Sequence, residues 1–142
     1  YSAILMASVK DDVKITTIER DNTRYMECLK NVKKCEMQDK INVVCQDALE
    51  VNLSGVAYDL IFIDADKASY PLYFNKCVER LNSGGIMIAD NILWYGKVVL
   101  EVKDSDKETK ALMNFNKMVT EDERLDNLII PIRDGLMVAR KK

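Results

Sequence analysis

The sequence contains no histidine. That absence excludes Ser-His nucleophilic triads and zinc sites built on imidazole. The four cysteines, Cys28, Cys35, Cys45 and Cys77, form no C-x-x-C pair. They are expected to be small, buried, apolar side chains in a reducing, cytoplasmic setting. Cys28 and Cys35 lie about two helical turns apart, so they are expected to share a face. No apolar run approaches the ~18 residues that a bilayer span needs. No signal-peptide pattern is read, and no membrane partner is expected. Strong basicity is missing too: 21 Lys and Arg stand against 23 Asp and Glu, a net charge of −2. That argues against a protein whose main task is gripping bare nucleic acid. There is no internal repeat, low-complexity tract or linker.

What remains is the composition of a globular domain. Hydrophobic residues make up 48% and charged ones 31% of 142 residues, enough for one domain, 1–142, with its own core. The opening stretch "YSAILMASV" reads as the middle of an amphipathic helix and does not begin with Met, so an N-terminal portion is expected to precede it.

Strands and helices alternate along the chain. "VKITTIER" (13–20) reads as a strand and residues 22–37 as a helix capped by Asp21 or Asn22. "INVVCQDA" (41–48) is a short strand. "YDLIFIDAD" (58–66) is nearly continuous in apolar character, which predicts a strand covered on both faces. A helix follows over 69–81, with Pro71 in its first turn and "SGG" as its stop. "GIMIAD" is the next strand, 105–124 a helix with a charged outer face, and "LDNLIIPI" and "LMVARKK" a hairpin about Asp134–Gly135. Pro131 fits an edge or a bulge. The order β-α-β-β-α-β-α-β-β predicts an α/β fold with a mostly parallel sheet and an antiparallel C-terminal hairpin.

Four of these strands end in acids: Glu19, Asp47, Asp64 (with Asp66) and Asp90 (with Asn91). Ligands of open parallel sheets bind beyond the carboxyl ends of the strands. A single acid there usually caps the next helix; four call for a cation to offset them. Asp64, Asp90 and Asn91 offer only oxygen donors, which suits a hard divalent ion, Mg²⁺, Mn²⁺ or Ca²⁺. Glu19 ends the second expected strand, where an acid accepts hydrogen bonds from a ribose; Asp47 could serve the base end. Lys67 follows Asp64 by three residues. Alone it reads as a solvated lysine, but beside a metal, partial burial would lower its pKa and let it accept a proton from a hydroxyl.

"YDLIFIDADKASYPLYF", "LNSGGIMIADNILWYGKV" and "LIIPIRDGLMVARKK" together resemble the cation-dependent class I O-methyltransferases. That family includes the caffeoyl-CoA and catechol O-methyltransferases and many bacterial relatives. The resemblance covers essentially the whole chain. It implies a Rossmann-like methyltransferase sheet of strand order 3-2-1-4-5-7-6 and S-adenosylmethionine (SAM) as methyl donor. It also implies metal ligation by Asp64, Asp90 and Asn91, and a general-base lysine at Lys67. Glu19 matches the acid on the SAM ribose, Asp47 and Ala48 the adenine pocket, Asp66 a contact to the methionine portion, and Ser2 a further SAM contact. Trp94 and Tyr95 match the loop that approaches substrate. The family's first strand and glycine-rich loop are not found in this sequence, so the 142 residues are read as a partial domain that binds SAM poorly by itself.

The acceptor implied is a small hydroxylated aromatic, a catechol or other vicinal diol. Two rivals stand beside it: methylation of a hydroxylated uridine in tRNA, for which Lys33, Lys34, Lys40 or the Arg140–Lys142 tail would supply a basic patch, and a nucleotide-binding fragment without catalysis. The C-terminal edge hairpin, together with the resemblance, suggests a homodimer.

Overall fold

Alternation of β-branched strands with amphipathic helices gives the expected order of elements. A computed structural model describes all residues, Tyr1–Lys142. The chain divides into two units, Tyr1–Asn52 and Leu53–Lys142.

The first unit contains α1 (Ser2–Ala7), β1 (Ile15–Glu19), α2 (Asn22–Lys34) and β2 (Ile41–Cys45). β1 and β2 pair in parallel, with Ile15 opposite Ile41 and Glu19 opposite Cys45. Asp21 caps α2 by accepting the Arg24 N–H at 2.8 Å, which satisfies one of the unpaired amides at a helix start. Ala7, Val32 and Ile41 form the small core, with Ile4, Ile15 and Cys28 packed around them. The cysteine expectation fails in part here. Cys35 and Cys45 are exposed, because α2 ends at Lys34 and β2 at Cys45, so both thiols sit where the element has run out of neighbours.

The second unit contains β3 (Tyr58–Ile63), α3 (Tyr70–Arg80), β4 (Leu81–Asp90), α4 (Lys107–Glu121), β5 (Leu125–Ile130) and β6 (Leu136–Lys141). A short 3-10 turn occupies Lys67–Ser69, and the segment Trp94–Val99 is a pair of tight turns broken by a kink at Tyr95 and Gly96. Its sheet runs β3-β4-β6-β5. β3 and β4 are parallel, whereas β6 is antiparallel to both β4 and β5. The two sheets, β1-β2 and β3-β4-β6-β5, match the 3-2 and 4-5-7-6 portions of the methyltransferase order. The chain has this Rossmann-like fold, mostly α/β with the antiparallel C-terminal strands.

Met87, Ala89, Met137 and Ala139 are fully buried, and they alternate with half-buried neighbours as the period of a strand requires. α3 and α4 join through Tyr70 and Phe74, whose rings meet Phe115 edge-on at 5.2 and 6.0 Å. Two expectations change in this unit. β3 is not covered on both faces: Ile63 is buried, whereas Leu60 and Phe62, on the opposite face, are 44% and 38% exposed, so only one side of the strand packs against the core. The helix ends at Arg80, before "SGG", and these residues lie inside β4. There the register slips, Tyr58 facing Leu81 and Leu60 facing Ile86, and Gly84 takes φ +79° as a bulge permits.

Candidate active site

Parallel pairing does the first part of the positioning. Ile63 of β3 lies opposite Ala89 of β4. The next residue on each strand, Asp64 and Asp90, therefore emerges side by side at the carboxyl end of the sheet. Asp64 is exposed and Asp90 half-buried. Asn91 follows with φ +60°, a left-handed conformation that Asn adopts more readily than most residues. Its N–H donates to Asp90 Oδ1 at 2.7 Å.

Lys67 is not a solvated lysine. Only 6% of it is exposed. Its Nζ lies 3.6 Å from Asp64 Oδ1, donates to Tyr70 Oη at 2.6 Å and lies 3.4 Å from the Asp90 carbonyl. Burial pushes its pKa below the ordinary lysine value, against the opposing influence of Asp64, Asp90 and Asp134, which favour the charged form. Desolvation of a point charge outweighs those attractions.

Sequence reasoning missed Tyr70. Its Oη donates to the Asp90 carbonyl at 2.9 Å and lies 3.4 Å from that of Ile63. It thereby ties the ends of β3 and β4 together and receives the Lys67 ammonium. Burial raises its pKa well above the usual phenol value, so it stays a donor. The available signal was a tyrosine three residues beyond Lys67, the spacing at which side chains on a helical turn meet. Tyr73, also missed, donates to Asp66 Oδ1 at 3.0 Å.

Trp94 and Tyr95 lie on the loop after β4, their ring centroids 5.6 Å apart. Trp94 is half-buried and Tyr95 is 82% exposed.

The remaining candidates belong to the first unit. Glu19 ends β1 and accepts the Asp21 N–H at 2.8 Å. Asp47 follows β2, accepts the Leu49 N–H at 2.8 Å and lies 3.6 Å from Arg20. Ala48 is half-buried in the turn that follows, and Ser2 is exposed at the start of α1. Register brings Glu19 and Asp47 to the same end of the β1–β2 pair.

As a donor set, two carboxylates and an amide oxygen suit a hard divalent cation. No three acidic or thiol side chains cluster to hold a metal on their own; the expected set has only two acids, with Asn91 as its third member.

A family model described as O-methyltransferase matches residues 1–142. The caffeoyl-CoA O-methyltransferase of Populus kitakamiensis is 33% identical over 153 residues, covering 99% of this chain and 65% of the relative. A crystal structure from Staphylococcus aureus, presented as a candidate caffeoyl-CoA O-methyltransferase, is 28% identical, with a TM-score of 0.90 over 100% of this chain and 71% of that one. The SAH-bound Podospora anserina methyltransferase PaMTH1 is 25% identical, with a TM-score of 0.77 over 91% and 61%. The chain spans slightly under two thirds of the length of the curated relatives it matches.

Proposed function

The chain belongs to the O-methyltransferase family, and from that premise we propose that the protein carrying it transfers a methyl group from SAM to a hydroxyl of a catechol-like acceptor with the help of a divalent cation. The observation that carries this reading is the environment of Lys67: buried, its pKa lowered, with Asp64 and Asp90 both acting on its ammonium. Burial makes the neutral amine easier to reach than in a solvated lysine, which is what a proton acceptor requires.

Asp64, Asp90 and Asn91 would hold the cation. When bound, it supplies Lewis-acid polarisation, which makes a neighbouring hydroxyl more acidic. The work of the chain is then positional. Lys67 Nζ receives the hydroxyl proton. Tyr70 Oη, anchored on the Asp90 carbonyl, keeps Nζ beside Asp64 and away from bulk water. Trp94 and Tyr95 present aromatic surface toward a planar acceptor.

SAM, when bound, supplies an electrophilic methyl group on sulfonium. In the first unit Glu19 would offer its carboxylate to the ribose hydroxyls, Asp47 and Ala48 would border the adenine and Ser2 would meet the amino-acid end; in the second unit Asp66 would contact the amino-acid end. Asp66 is oriented by Tyr73.

The test is methyl transfer by the intact protein to a panel of catechols and to bulk tRNA, with and without EDTA. Catechol methylation that EDTA abolishes supports the proposal. Methylation of tRNA alone would replace the acceptor, and EDTA-insensitive turnover would remove the cation.

A further inference from the structure

The loop after β4 has an unusual backbone. Asn91, Trp94 and Tyr95 take φ of +60°, +50° and +58°, and Gly96 follows at +76°. Non-glycine residues hold such conformations only where their surroundings dictate them. The surroundings here are the β5–β6 turn. Leu93 N–H donates to the Asp134 carbonyl at 3.0 Å and Ile92 N–H to that of Gly135 at 3.2 Å. Tyr95 N–H donates to Asp134 Oδ1 at 2.6 Å. A Cβ on Gly135 would collide with Leu93, so the two segments lie backbone against side chain.

The Ile92 end of the loop has a second anchor, Asn116 Nδ2 on its carbonyl at 2.9 Å. The Tyr95 end depends on the Asp134 carboxylate, a bond between residues 39 positions apart.

We propose that Asp134 is a positioning residue. Through its carboxylate and its carbonyl it sets the conformation of residues 91–96, and so fixes where Asn91 offers its amide oxygen and where Trp94 presents its ring. The part concerning Asn91 rests on the cation-site reading above; the part concerning Trp94 does not.

Trp94 is the only tryptophan in the sequence, so its fluorescence, assigned by its loss in Trp94→Phe, reports on the loop directly. The test compares Asp134→Ala with Asp134→Asn in the intact protein, with far-UV circular dichroism as a check on folding. Asn keeps an oxygen that can accept the Tyr95 N–H; Ala does not. Asp134→Ala is expected to raise acrylamide quenching of Trp94 and to weaken Mn²⁺ binding by about 10- to 100-fold, as loss of a supporting contact around a metal ligand commonly does. Asp134→Asn is expected to restore both. If Asp134→Ala does not fold, Asp134→Ser, whose hydroxyl sits closer to the backbone, takes its place.

Unchanged Trp94 quenching in the alanine variant overturns the proposal. So does an asparagine variant as damaged as the alanine one, because charge rather than position would then be at work. If wild-type protein binds no Mn²⁺, the cation reading fails and the Trp94 measurement still decides whether Asp134 positions the loop.

Discussion

Tyr70 Oη sits between Lys67 Nζ, 2.6 Å away, and the Asp90 carbonyl, 2.9 Å away. One phenol thus joins the candidate base to the backbone of a candidate metal ligand. Tyr70→Phe removes that link and leaves a buried carbonyl and a buried ammonium each short of a partner. The expected cost is roughly 1–3 kcal/mol of stability, read by urea denaturation. An unchanged midpoint would mean that the hydroxyl is idle.

Lys67→Met keeps the length of the side chain and removes the proton acceptor. In the intact protein kcat is expected to fall by roughly 10²- to 10⁴-fold, the usual contribution of a general base, with SAM affinity little altered. Full turnover in this variant would move the proton elsewhere.

The cysteines separate by reactivity. Burial pushes the Cys77 thiol up to about 12, whereas Cys35 and Cys45 are exposed. The thiolate is the reactive form, so at pH 8 iodoacetamide is expected to label Cys35 and Cys45 first. Labelling of Cys77 should rise only as pH approaches its raised value. Peptide mass mapping gives the order; prompt modification of Cys77 in folded protein would contradict its burial.

Phe115 is fully buried and meets both Tyr70 and Phe74 edge-on. Phe115→Ala should cost about 3–5 kcal/mol, as large-to-small core changes do. Because the lost ring supports Tyr70, the variant should also lose activity more than an equally destabilised Leu125→Ala. Thermal unfolding alongside turnover checks the pair.

Much of this was legible in the chain itself. Period gave the order of helices and strands, because each buries an apolar face, whereas their ends were less legible. The acids at 64 and 90 could be matched because parallel strands that each run into an acid bring those acids to the same end of the sheet. The bonds around Tyr70 and from Asp134 to Tyr95 could not be read, because they depend on register and crossing angles between distant elements. The same holds for Cys35 and Cys45: sequence spacing says which residues share a face, but not where that face loses its cover. The "SGG" stretch misled because a glycine at positive φ serves a bulge as well as a helix end.

The central claim is that Asp64, Asp90 and Asn91 share one divalent cation beside Lys67. Titration of the intact protein with Mn²⁺, following the free-ion signal by electron paramagnetic resonance, tests it without recourse to turnover. The account predicts one saturable ion per chain in wild type and its loss in Asp90→Ala. Equal binding by both proteins, or none by wild type, would contradict it.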